Sequence, residues 1–93
     1  MAEASGRIAG KTAFVTGGAS GLGLDIVRRF VAEGASVVIA DIDAVAGAAV
    51  AAELGQRFVP LNVSIESEWL AALAEAGRID VLVNNAGYGG LGS

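Results

Sequence analysis

The chain has no cysteine, no histidine, one lysine, one proline, one tryptophan and one tyrosine, and only 5% of its residues are aromatic. Without cysteine there is no disulfide and no thiolate metal site, and a reducing cytoplasm is the natural compartment. Without histidine, the side chain best suited to moving protons near neutral pH is missing, as is the commonest metal ligand. Cations are scarce as well: one lysine and five scattered arginines within a net charge of −4. That excludes the clustered basic surface a nucleic-acid backbone demands. Apolar residues make up 54% of the chain, yet no apolar run approaches the ~20 residues that span a bilayer. Met1 to Gly10 lacks the basic start and apolar stretch of a secretory signal, and Met1 to Arg7 reads as a frayed polar arm. What remains is one small soluble domain of 93 residues. Its core is marginal, because so short a chain buries only about 60–65% of its unfolded surface.

Glycine, by contrast, is abundant, with fourteen residues, and it punctuates a regular alternation of strand and helix. The apolar run Ala13-Phe14-Val15 predicts a strand over Thr12–Thr16. After a glycine turn, Leu22, Ile26, Val27, Phe30 and Val31 recur at helical spacing, and Gly34 stops that helix. Ser36–Ala40 is a short, β-branched apolar run of the kind buried on both faces of a parallel sheet, and it ends at Asp41. Asp43 is placed to cap a helix over Ala44–Leu54 that Gly55 terminates. Gly47 inside that helix costs about 1 kcal/mol relative to alanine, which implies close packing on a neighbour.

Arg57–Val63 reads as a third strand, and Pro60, which lacks an N–H, places it at the border of the sheet. Ser64 is expected to cap a third helix, with Glu66 and Glu68 at its positive start and Leu70 and Leu73 as an inward stripe beside Trp69. Gly77-Arg78-Ile79-Asp80 leads into a fourth strand, Val81–Asn84. Strands alternating with helices at this spacing imply right-handed crossovers and one parallel sheet with helices on both faces. The fold class is therefore α/β, a Rossmann-like doubly wound sheet of four strands in the order 3-2-1-4 with three helices. There is no internal linker.

The stretch Thr16-Gly17-Gly18-Ala19-Ser20-Gly21-Leu22-Gly23 lies between the first strand and the first helix. A helix start carries unpaired N–H groups and the positive end of the macrodipole, so it suits a phosphate. Gly17 allows the sharp exit from the strand, Gly21 lets a pyrophosphate approach the backbone, and Gly23 lets the helix pack closely on the sheet. The spacing T-G-x-x-x-G-x-G, followed by Asn84-Asn85-Ala86-Gly87 after Val81-Leu82-Val83, resembles the short-chain dehydrogenase/reductase family. The resemblance runs from about Gly10 to Gly87 and covers the first half of that family's usual domain. It implies that residues 1–93 are the N-terminal cofactor-binding half, with the catalytic half absent.

On that resemblance Gly17, Ser20, Gly21, Leu22 and Gly23 hold the pyrophosphate of a dinucleotide. Asp41, eighteen residues beyond Gly23, accepts hydrogen bonds from the adenosine ribose and repels a 2′-phosphate, which favours NAD over NADP. A plainer role for Asp41, as a turn or cap residue, is one Asp43 can fill alone. Ile42 is an apolar wall for adenine. Asn62-Val63 stands where the family carries an aspartate and a small apolar residue; Asn62 can accept from the adenine amino group or serve as a strand-end turn residue. Asn85, Ala86 and Gly87 line the ribose side, while Asn84 ties strands together.

The family's catalysis uses a Tyr-x-x-x-Lys pair and a serine. Here the lone Tyr88 stands far after the lone Lys11, so no catalytic residue is assigned, nor any metal ligand. Two functions fit. One is the NAD(H)-binding portion of an alcohol dehydrogenase or carbonyl reductase acting on a small alcohol or ketone, inactive by itself and part of a homotetramer or dimer when full length. The run Gly17–Leu24 with an acid ending strand two is similar to hydroxysteroid and 3-hydroxyacyl-CoA dehydrogenases. The other is a non-catalytic nucleotide-binding or interaction module. A reading frame past Ser93 with a Tyr-x-x-x-Lys pair would support the first, and a stop codon the second.

Overall fold

Strands β1 (Thr12–Thr16), β2 (Ser36–Asp41), β3 (Arg57–Pro60) and β4 (Val81–Asn84) alternate with helices α1 (Gly21–Ala32), α2 (Ala44–Leu54) and α3 (Glu66–Ala76). The computed structural model describes residues 8–86; the expectations for Met1–Arg7, Gly87 and Tyr88 lie outside them. The sheet has the order β3-β2-β1-β4 and every pairing is parallel, with Phe14 beside Val38 and Leu82, and Asp41 beside Pro60.

Two apolar layers follow from the period of two along the central strands. Ala13, Val15, Val37 and Ile39 face Val27 of α1 and Val50 and Ala51 of α2. Phe14, Val38, Ala40 and Val59 face Ala72 and Ala76 of α3 on the opposite side. Strand β2 is buried on both faces from Val37 to Ala40, as its continuous apolar run requires. A Cβ at Gly47 would overlap the Phe58 ring, so the glycine inside α2 exists to let the helix sit on β3.

Three expectations are corrected. Strand β3 ends at Pro60 rather than Val63. The Leu61 N–H still reaches the Asp41 carbonyl at 3.1 Å, but the chain then turns, with Ile65 N–H on the Asn62 carbonyl at 3.0 Å. The N-cap of α3 is Ile65, with no side-chain cap; the Ser64 N–H is held by Asn62 Oδ1 at 3.0 Å, which keeps Ser64 in the preceding turn. Leu70 is 64% exposed. The inward face of α3 is Trp69, Ala72, Leu73 and Ala76, the three-and-four spacing of one helix side, and Leu70 stands about 100° round from Trp69.

The amino end of the sheet is closed by Asp80. Its Oδ2 accepts the Thr12 N–H at 2.9 Å, its own N–H donates to the Thr12 carbonyl at 2.8 Å, and Arg78 Nε lies 3.3 Å from Oδ1. The Thr12 hydrogen bond, assisted by the Arg78 charge and opposed by desolvation, holds the Asp80 carboxyl below its usual 3.8. A depressed folded-state value stabilises the fold above the unfolded pKa, and that contribution is lost as pH falls through the folded one. Asp80→Asn is therefore expected to be less stable than the parent at neutral pH, with the difference closing in acid below the folded value. Urea midpoints measured at both pH values check this.

Candidate functional site

The carboxyl ends of β2, β1 and β4 converge where the strand order reverses, and the glycine turn is stitched across them. Gly17 N–H donates to the Ala40 carbonyl at 2.7 Å, and Gly18 N–H reaches the same oxygen at 3.4 Å. Ala19 N–H donates to Asp41 Oδ2 at 3.0 Å. Gly17 has φ +67°, a conformation that favours glycine, and this bends the chain off β1 toward α1. The helix starts with Ser20 extended at its N-cap, no side-chain cap and no acid in its first turn. The other two helices differ: Asp43 Oδ1 accepts the Ala46 N–H at 3.0 Å at the start of α2, and Glu66 and Glu68 open α3. Among the three described helices, α1 alone starts with neither a side-chain cap nor an acid of its own first turn facing its first N–H groups and the positive end of its dipole.

Close approach shapes the rest of the turn. A Cβ at Gly23 would overlap the Gly17 carbonyl, with Asn85 Nδ2 2.9 Å away. Gly23 thus packs against the backbone of the turn itself, whereas sequence reasoning placed its contact on the sheet. That contact belongs to Gly18, whose Cβ would meet Ile39 and Val27 at 3.1 Å. Gly21 has φ +56°, and among the described residues nothing lies within 4 Å of a Cβ there.

The Asn84–Ala86 segment is locked to this turn by Thr16, which is fully buried. The Thr16 hydroxyl donates to Asn84 Oδ1 at 3.0 Å, with the Val83 carbonyl at 3.4 Å, and accepts the Ala86 N–H at 3.0 Å. Asn85 Nδ2 donates to the Gly17 carbonyl at 3.4 Å. Asn84 has the strand-tying role expected of it. Thr16 was not singled out for its side chain; its signal was being the one polar residue closing an apolar strand before a glycine turn.

Beside the turn lies a cleft of about 220 Å³ lined by Gly17, Asp41, Ile42, Asn62, Val63 and Ala86, together with Leu61. It gathers six of the residues expected from the sequence. Ser20, Gly21, Leu22 and Gly23 are not on its wall but at the adjoining start of α1, where Ser20 and Leu22 are exposed; Asn85 sits against Gly17. Asp41 is half-exposed and also accepts the Asp43 N–H on Oδ1 at 2.9 Å, so it organises the turn while facing the cleft. Asn62 Oδ1 accepts the Ser64 N–H at 3.0 Å, which displays the strand-end turn role and leaves that oxygen a second lone pair and the amide its NH₂ donors. Among the described residues, no basic side chain lines the cleft.

A family model described as short chain dehydrogenase matches residues 11–93. The chain is 49% identical over 87 residues to a 3-beta-hydroxysteroid dehydrogenase of Comamonas testosteroni, covering 87% of this chain and 34% of that protein. Among solved structures, Pseudomonas aeruginosa RhlG in an NADP active-site complex is 38% identical with a TM-score of 0.76, over 83% of this chain and 34% of that one. A 3-ketoacyl-(acyl-carrier-protein) reductase from Brucella melitensis complexed with NADH is 36% identical with a TM-score of 0.73, over 80% of this chain and 33% of that one. The chain spans about a third of the length of these relatives. With the family model matching nearly the whole sequence, and with the parallel sheet and glycine turn in the same chain, the protein belongs to the short-chain dehydrogenase family.

Proposed function

We propose that residues 1–93 form the dinucleotide-binding half of an oxidoreductase domain, and that the dinucleotide is NAD. The observation that carries this reading is the uncapped, acid-free start of α1 opening beside a cleft whose rim bears Asp41 and no cation. The cradle fits a dinucleotide, because a Cβ at Gly23 would overlap the Gly17 carbonyl, one at Gly17 would crowd Asn85 and Ala86 at 3.0–3.2 Å, and no described residue stands above the Gly21 backbone. The N–H groups of Gly21, Leu22 and Gly23, with Ser20 at the cap, receive the pyrophosphate. Asp41 retains acceptor capacity beyond the Ala19 and Asp43 N–H groups and takes the adenosine ribose hydroxyls. Ile42, 71% exposed, and Val63 flank adenine, Asn62 donates to it, and Ala86, with Asn85 and Gly87 beside it, lines the ribose side.

When bound, the cofactor supplies a nicotinamide that exchanges hydride with an alcohol or carbonyl carbon of a small substrate. These 93 residues contain no Tyr-x-x-x-Lys pair and no histidine, so no proton donor is assigned within them, and the isolated chain is expected to turn nothing over.

The pair Asp41→Ala with Ile42→Arg tests the cofactor choice. Removing hydrogen bonds to a carboxylate costs about 1.5–3 kcal/mol, so NAD should weaken at least about tenfold while NADP gains a guanidinium partner for its 2′-phosphate. Asp41 also holds the Ala19 N–H, so any loss common to both cofactors belongs to the turn. The NAD-to-NADP ratio from calorimetry isolates the ribose contact, and an unchanged ratio would assign Asp41 to the turn alone.

A further inference from the structure

We infer that Glu68, in the first turn of α3, is a positioning residue for the adenine end of the dinucleotide, acting through the main chain of Asn62. The inference rests on the cofactor reading above. Strand β3 ends at Pro60, and beyond it only the Leu61 N–H still bonds the sheet, on the Asp41 carbonyl at 3.1 Å, yet Asn62 and Val63 complete with Leu61 one wall of the cleft. Something other than the sheet must hold Asn62 and Val63. Glu68 Oε1 accepts the Asn62 N–H at 2.7 Å, a short hydrogen bond of the charge-assisted kind. One residue on, Trp69 Nε1 donates to the Val63 carbonyl at 2.9 Å, and the Trp69 ring lies 6.2 Å from the ring of the fully buried Phe14. Consecutive side chains of α3 therefore fasten consecutive cleft residues, and one of the two fastenings is anchored in the core.

Helix capping does not account for the Glu68 contact. A glutamate three residues past the N-cap ordinarily returns to the N-cap N–H. Here the N-cap is Ile65, and the carboxylate reaches three residues further back, to Asn62. Nor does Glu68 face the ligand. It lines a separate groove of about 380 Å³ between β3 and α3, with Phe58, Pro60 and Glu75, so its influence on the cleft passes through the Asn62 peptide. With Asn62 Oδ1 held by Ser64 N–H and its main-chain N–H held by Glu68, the amide NH₂ is preset as a donor to an adenine ring nitrogen. The family's aspartate at this position is absent. A carboxylate from the next helix instead fixes the backbone from which the amide acts.

The test uses the full chain, with NAD and 1,N6-etheno-NAD as calorimetric probes, because the etheno bridge blocks the adenine edge and leaves ribose and pyrophosphate unchanged. One hydrogen bond to that edge corresponds to about a tenfold preference of the parent for NAD. In Glu68→Ala the Asn62 amide should exchange faster with solvent deuterium, and the preference should fall to about threefold or less. Glu68→Gln keeps an acceptor oxygen and should restore most of it. Trp69→Phe keeps a ring on Phe14 but frees the Val63 carbonyl, so it too should erode the preference, and it decides the matter if Glu68→Ala does not fold. A preference unchanged in these variants overturns the inference alone, as does an equal loss of both probes. A parent that binds neither probe overturns the cofactor reading and this inference with it.

Discussion

Gly23→Ala is expected to abolish measurable dinucleotide binding and to lower stability by about 3 kcal/mol, at the upper end of the usual cost of overpacking. The reason is the object the new methyl group meets. A Cβ at Gly23 would overlap the Gly17 carbonyl, which is backbone and cannot rotate away. Gly17 is held from both sides, by its N–H on the Ala40 carbonyl at 2.7 Å and by Asn85 Nδ2 on its oxygen. Yielding would therefore shift the turn, the end of β2 and the Asn84–Ala86 segment together. In a small domain with a stability of about 5 kcal/mol, a loss of that size leaves a measurable unfolded fraction. Gly21→Ala is the contrasting control: its Cβ meets nothing within 4 Å, and only the φ of +56° opposes it, at about 1–2 kcal/mol. That variant should stay folded while its methyl group occupies the space above the helix start where a phosphate would lie. Urea unfolding and NAD calorimetry on both variants measure the two effects. Parent-like melting and binding in Gly23→Ala would show that the turn is free to move.

The same contrast marks what could be read from residues alone. That Gly17 and Gly23 shape the turn between β1 and α1 was legible, because each absence of a side chain is a local fact with a local consequence. What each glycine avoids was not, since the Gly17 carbonyl lies beside Gly23 only once α1 has folded back over β1. Strand order followed from Pro60 marking an edge and from the alternation of elements, and the buried β2 followed from Val37–Ala40 having no polar break. The expectation failed after Pro60. Composition there continued strand-like through Val63, but the hydrogen bonds that decide the matter come from Glu68 and Trp69, side chains of the next helix. Leu70 was assigned inward because leucine is apolar, although only the phase of α3 decides whether a residue is buried, and two alanines have the better phase. Asp41 was read as a choice between turn residue and ribose acceptor. Its carboxylate has enough acceptor sites for both, and the turn role is the one the contacts with Ala19 and Asp43 display.

The two sheet edges differ in how they are guarded, and this leads to the second large effect. On β3, Arg57 and Pro60 flank a strand of only four residues, and a charge with a proline is a common protection against edge-to-edge pairing. On β4 the run Val81-Leu82-Val83 carries neither charge nor proline, and among the described residues it pairs with β1 alone. Leu82 is 54% exposed. On the other face of β4, a groove of about 570 Å³ runs along α1, lined by Leu22, Ile26, Phe30 and Val83 with the charged Asp25, Arg29 and Glu33. An unguarded apolar edge favours pairing with another chain, and a marginal core makes the monomer a weak competitor. The isolated 93 residues are therefore expected to self-associate through β4 at micromolar concentration. Sedimentation should show species heavier than the monomer, and amide exchange in Val81–Val83 should slow as concentration rises. Leu82→Lys places a charge on the exposed face of that edge and should weaken association at least about tenfold, or about 1.4 kcal/mol. A monodisperse parent with amides in Val81–Val83 protected equally at every concentration would mean that the edge is satisfied within one chain, and the β4 face would then be no interface at all.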